Sequence, residues 1–262
     1  MIGVFDSGLG GLSVLAAIAA ALPQADLVYL ADTAHVPYGD KDDAFIRDRV
    51  LRIGRHLVEV QGCRQLVVAC NTATAAAVAS LRAALPQISV IGIEPGIKPA
   101  ASASRSGRIA VLATESTARS ERLAGLIRQH AGDVEVDILA CPGWATRVET
   151  LKLDDAAFAE AARRHLEPVL AAGADRIVLG CTHYAFLAPV LRPIVQGRAE
   201  LVDVADAVAR QCLRLAGESA HRCGGLTLLA TASPERLDRA LDVLGLDALA
   251  GRLSRPAAQV DA

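Results

Sequence analysis

A surplus of positive charge is missing from this 262-residue sequence: 27 Lys and Arg stand against 29 Asp and Glu, a formal net charge of −2. Binding to a phosphate backbone needs such a surplus, so nucleic acid is not expected as a partner. Lysine is scarce, with Lys41, Lys98 and Lys152 the whole supply. None has a phosphate-binding loop beside it, which argues against pyridoxal phosphate and its Schiff-base lysine. No Lys or Arg precedes Lys41, and Asp6 stands where a secretory signal carries its positive flank; the alanine-rich run 12–22 is therefore not expected to be a signal peptide. Apolar runs of membrane-spanning length are also absent, so no membrane association is expected and a cytoplasmic location is. Cys-x-x-Cys does not occur, and the six cysteines at 63, 70, 141, 181, 212 and 223 are too irregular for a disulfide scaffold.

What remains is an apolar, aromatic-poor chain, 52% hydrophobic and 3% aromatic, long enough for one large or two smaller domains. Short β-branched runs at 2–5, 27–31, 65–69, 89–93, 108–113, 134–139, 176–179, 199–202 and 226–230 read as strands. Helical stretches such as 43–59 and 156–171 lie between them. Continuous apolar strands alternating with helices indicate buried parallel sheet and an α/β class.

The chain also repeats itself. Gly3-Val4-Phe5-Asp6-Ser7 parallels Ala110-Val111-Leu112-Ala113-Thr114, an offset of 107 residues. Leu30-Ala31-Asp32 parallels Leu139-Ala140-Cys141 at 109, and Val67-Val68-Ala69-Cys70-Asn71-Thr72 parallels Val178-Leu179-Gly180-Cys181-Thr182-His183 at 111. Three matches in one order point to duplication. We expect two similar doubly wound parallel-sheet domains related by pseudo-twofold symmetry. One would span 1–95 and, with a returning C-terminal segment, 206–262; the other would span 96–205. Ligands of such sheets bind beyond the carboxyl ends of the strands, which places the expected active site in the cleft between the domains.

Cys70 and Cys181 occupy equivalent places in the repeat, each directly after an apolar strand and before hydrogen-bonding residues. A lone cysteine is usually a small buried hydrophobe; a matched pair suggests more. Cys70 with Cys181-x-His183 has no recognised zinc spacing, and no metal is expected. Two opposed thiols suit racemisation, one thiolate removing a proton from a stereocentre while a thiol on the other face returns one. Gly8-Leu9-Gly10-Gly11 is no nucleotide loop, because Ser13 stands where a dinucleotide fingerprint has glycine and a Walker lysine is lacking.

The blocks Phe5-Asp6-Ser7-Gly8-Leu9-Gly10-Gly11-Leu12-Ser13, Ala31-Asp32-Thr33, Pro37-Tyr38-Gly39-Asp40-Lys41, Cys70-Asn71-Thr72-Ala73 and Gly180-Cys181-Thr182-His183-Tyr184 resemble, in order, the signatures of glutamate racemases. The resemblance implies cofactor-independent interconversion of L- and D-glutamate, supplying D-glutamate for peptidoglycan. It implies that Cys70 deprotonates D-glutamate and Cys181 deprotonates L-glutamate. Substrate-binding pairs would be Asp6-Ser7, Tyr38-Gly39, Asn71-Thr72 and Thr182-His183, for which helix capping is the competing role. Asp32 and Glu149 match accessory acids of the family. Glutamate is then the small-molecule partner, and a homodimer is compatible with the sequence.

Two segments depart from the family pattern. Trp144-Ala145-Thr146-Arg147-Val148-Glu149 replaces an apolar-Pro-Leu-Val-Glu run, and Asp203-Val204-Ala205 replaces Asp-Ser-Gly. An aspartate or hydantoin racemase is the nearest rival; aspartate racemases tend to carry Glu where His183 stands. A non-catalytic binding protein on the same fold is opposed by the presence of both thiols and their polar flanks.

Overall fold

The computed structural model of the chain describes residues 1–153, 155–216 and 223–262. Its strands are β1 (Ile2–Asp6), β2 (Leu27–Ala31), β3 (Gln65–Val68), β4 (Ser89–Gly92), β5 (Arg108–Ala113), β6 (Glu135–Ala140), β7 (Arg176–Leu179), β8 (Glu200–Val202), β9 (Leu226–Ala230) and β10 (Ala258–Gln259). Every strand pair is parallel. The strands form two sheets, ordered β10-β9-β2-β1-β3-β4 and β6-β5-β7-β8. The chain accordingly divides into two compact units, Met1–Ile93 with Ala205–Ala262, and Glu94–Val204.

The expected α/β class with two similar parallel sheets is the observed one. Counted from its own first strand, each unit runs second-first-third-fourth across the sheet, as β2-β1-β3-β4 and as β6-β5-β7-β8. Side chains alternate across a strand, and in the second unit this alternation divides the core in two. Ala110 and Leu112 of β5 pack with Phe158, Leu166 and Leu191, whereas Ile109, Val111 and Ala113 pack with Ile97, Leu123 and Leu126. Apolar layers cover both faces of the sheet, which is why its inner strands read as unbroken hydrophobic runs. In the first unit all five residues of β1 are buried; Phe5 joins Val28, Leu30, Leu66 and Val68 beneath Ile46, Val50, Ala77 and Leu81.

Element boundaries differ from expectation in a few places. The stretch 43–59 is α-helical only over Asp43–Arg55 and continues as a π turn, His56–Val60, closed by the Gln61 N–H on the His56 carbonyl at 3.1 Å. β10 was not anticipated: its two residues pair with Leu229 and Ala230, and a strand that short carries no periodicity. β9 runs beside β2, extending the first sheet with a strand from late in the chain.

Local chemistry shapes the strand ends that matter. Beyond β1 the chain turns through Ser7–Gly11, where the Gly8 N–H donates to Asp6 Oδ1 at 2.8 Å and the Tyr29 hydroxyl to the Gly8 carbonyl at 2.6 Å. A Cβ at Gly11 would lie 2.7 Å from that of Asp6, and one at Gly180 would lie 2.6 Å from the Leu112 carbonyl oxygen. Close approach therefore accounts for both glycines. Among the described residues no helix is long and apolar enough to cross a membrane.

Candidate active site

In the first unit the singled-out residues gather at the carboxyl ends of β2, β1 and β3. Asp6 ends β1 and is fully buried, accepting from the Ser7 hydroxyl at 3.1 Å. Cys70 follows β3 in extended conformation and caps the helix Asn71–Ala84 with its sulfur, which accepts the Ala73 N–H at 3.4 Å. Its Sγ lies 3.9 Å from the Ser7 hydroxyl. A helix N-terminus favours negative charge on a group so placed.

The capping alternative for Asn71 does not hold, because Cys70 takes that role. Asn71 is instead the first helical residue, buried, with neither oxygen nor nitrogen of its carboxamide hydrogen-bonded. An amide buried without partners is costly.

Tyr38 and Gly39 lie in a single 3₁₀ turn, Tyr38–Asp40, held from below by Asp32. The Asp32 carboxylate is fully buried and receives Arg49 through two N–H groups at 2.9 Å each, Tyr38 Oη at 2.6 Å, Thr231 Oγ1 at 2.8 Å and the His35 ring at 3.0 Å. Burial works to raise the Asp32 pKa, but Arg49, Tyr38, His35 and Thr231 outweigh it and hold the group below the usual carboxylate range. Burial, then the neighbouring Asp32 charge, pushes the Tyr38 phenol up, so it stays a donor. With its oxygens so engaged, Asp32 is geometrically a clamp for the Tyr38 turn. Sequence reasoning missed Arg49 and Thr231. Arg49 had a legible signal: it falls among Ile46, Val50 and Ile53 on the buried face of its helix.

The second unit presents the matching strand end. Cys181 follows β7 and Gly180, in extended conformation like Cys70, and opens a 3₁₀ turn, Thr182–Leu187. Its Sγ is 3.6 Å from His183 Nδ1, and His183 Nε2 is 2.6 Å from Glu149 Oε1. Glu149 ends the helix Trp144–Glu149; both it and His183 are buried, at 5% and 3% exposure. Burial alone would lower the His183 pKa, yet the hydrogen bonds to Cys181 and Glu149 and the charges on both carry it well above its ordinary value. This favours the protonated ring, which can donate from Nε2 to Glu149 and from Nδ1 toward the sulfur. Thr182, also buried, begins the turn between them. The divergent 144–148 segment has not displaced Glu149 from His183.

The remaining thiols are of another kind. Burial raises Cys63 to about 11 and Cys141 and Cys212 to about 12, so they stay protonated. Cys141 lies 3.6 Å from His165 Nε2, and Cys223 is exposed.

Residues 2–212 match the family model for Asp/Glu/hydantoin racemase. The chain is 45% identical over 247 residues to the glutamate racemase of Pseudomonas aeruginosa, covering 93% of each. It is 49% identical over 217 residues to that of Ectopseudomonas mendocina, covering 83% of this chain and 82% of the relative. Among solved structures, Escherichia coli glutamate racemase in complex with L-glutamate and the activator UDP-MurNAc-Ala superimposes with a TM-score of 0.86 at 30% identity, covering 99% of this chain and 97% of that one. On sequence and on fold, the chain belongs to the Asp/Glu/hydantoin racemase family.

Proposed function

We propose that this enzyme interconverts L- and D-glutamate by carrying the Cα proton off on one thiol and returning a proton from another, with Cys70 and Cys181 as the two bases and no cofactor. The observation that carries this reading is the pairing of equivalent strand-end thiols with unlike companions. Cys70 has a helix N-terminus and the Asp6–Ser7 turn; Cys181 has an imidazolium backed by a carboxylate. A two-base racemase needs one group ionised and the other protonated at the start of each turnover, and unlike surroundings allow that.

The other polar groups have parts that follow from their chemistry. Asp6 is the anion to receive the substrate ammonium. Ser7, Asn71, Thr72 and Thr182, with the Tyr38–Gly39 turn, supply hydroxyl, amide and backbone donors for the two carboxylates. The unpartnered Asn71 carboxamide supports this assignment. His183 and Glu149 serve Cys181, keeping positive charge beside its sulfur. The substrate is glutamate, as the names of the most similar relatives suggest, and the product D-glutamate serves cytoplasmic peptidoglycan synthesis, as the family resemblance implies.

The test is optical. Dialysed protein is given L-glutamate, D-glutamate or L-aspartate and followed by circular dichroism. Both glutamate enantiomers should converge on the racemate, and aspartate, one methylene shorter, should react roughly 10–200-fold less efficiently. Aspartate turnover equal to or faster than that of glutamate would contradict the assignment.

A further inference from the structure

The helix Trp144–Glu149 has only six residues and starts from Gly143 in the left-handed region, with no side-chain cap. A helix so short has no stability of its own; its position depends on what its side chains grip. Ala145 touches the core only through its methyl group, so the larger grips are those of Trp144, Arg147, Val148 and Glu149. The Trp144 ring meets Phe158 edge-on at 5.3 Å, Tyr184 at 5.5 Å and His165 at 5.8 Å. Edge-to-face pairs at such distances are directional as well as apolar. The backbone N–H of Trp144 and the Tyr184 hydroxyl share one acceptor, the Cys141 carbonyl, at 3.4 and 3.3 Å.

One short helix thus touches two consecutive residues of the turn that carries Cys181. Its first residue packs on Tyr184, and its last hydrogen-bonds His183. Arg147 ties the same helix outward, its guanidinium 4.5 Å from the Phe158 ring centre and 2.7 Å from the Lys152 carbonyl. Without the tryptophan ring, the first turn would keep only its backbone bond to the Cys141 carbonyl and the small Ala145 contact to fix the angle at which Glu149 reaches the imidazole. We propose that Trp144 is a positioning residue for the proposed reaction, locking the helix so that Glu149 stays on His183 and His183 on Cys181. This deepens the two-thiol reading and rests on it.

A double-mutant cycle on the purified full chain tests it, with kcat and KM measured for both glutamate enantiomers across pH and circular dichroism reporting the fold. Glu149→Gln should lower kcat. Trp144→Ala should lower it comparably, by about 10–10²-fold as expected for a displaced supporting group, with KM little changed. The double variant should be no slower than the slower single one, because both changes act on one contact. Trp144→Ala should also move the same limb of the pH profile as Glu149→Gln, and Trp144→Phe should recover most of the rate. If Trp144→Ala does not fold, Trp144→Leu keeps apolar bulk without the ring edge and takes its place in the cycle. A folded variant with wild-type kcat, or losses that multiply in the double variant, would overturn the role of Trp144 alone. Full activity in Glu149→Gln would overturn both this role and the assignment of Glu149 to Cys181.

Discussion

Cys70 receives a backbone N–H from the start of a helix, while Cys181 faces the His183 ring held by Glu149. Unlike companions make the two thiols separable by experiment. Replacing either with serine, whose hydroxyl ionises far less readily, should lower racemisation in both directions by about 10²–10⁴-fold, the usual worth of a positioned acid or base. Elimination from a glutamate analogue with a β leaving group needs only proton removal. Cys70→Ser should therefore still process the L-analogue, and Cys181→Ser the D-analogue; chiral chromatography of the remaining analogue reads the preference. His183 makes a second prediction. Its native pKa is raised, so the stability it contributes is full below the unfolded value of about 6.5 and is lost as pH rises through the native value. Glu149→Gln removes one partner of a buried pair, a loss of about 3–5 kcal/mol. The gap in urea midpoint between wild type and variant should be widest near pH 6 and narrower at pH 9. A constant gap would show that His183 is neutral in the native state. Both thiols were legible in the sequence through the repeat. The free Asn71 carboxamide was not, because whether Asn caps a helix or begins one depends on which neighbour supplies the cap, here a sulfur.

At the scale of elements, strands were the most legible feature and clamps the least. Inner strands buried on both faces must be continuously apolar, so β2, β5, β7 and β9 fall where the sequence places them. β10 has two residues and no pattern of its own. The clamp on the Tyr38 turn joins Asp32 to Arg49 from the following helix and to Thr231, which reaches Asp32 only when β9 lies beside β2. Arg49→Ala would strand a buried carboxylate and should cost about 3–5 kcal/mol, read as a lower urea midpoint. Since its partners outweigh burial and lower the Asp32 pKa, the stability its ion pair contributes is present above the unfolded value and lost as pH falls through the native one. The Arg49→Ala deficit should therefore shrink toward acid. Tyr38→Phe removes a single hydroxyl from that carboxylate and should cost about 1–3 kcal/mol. If Arg49→Ala is milder than Tyr38→Phe, the ion pair is not what holds the turn.

Across the whole molecule, one strand order is used twice, and each use places a cysteine two residues beyond its third strand. The repeat survived in the sequence because strand cores and the residues after them are constrained together, the first by burial and the second by chemistry. Loops between them are not so constrained, which is why the offset drifts. Two-thiol racemisation takes one cysteine from each repeat, and its signature is the fate of the Cα hydrogen. The most direct measurement is incubation of L-glutamate with the enzyme in D₂O, without added cofactor. Chiral separation and mass spectrometry of both enantiomers at low conversion then locate the label. A base that keeps its own proton for return, and a separate donor that equilibrates with solvent, predict deuterium in the D-glutamate formed and protium in the L-glutamate recovered, with the mirror result from D-glutamate. Deuterium entering the recovered substrate as fast as the product would contradict two bases of separate duty.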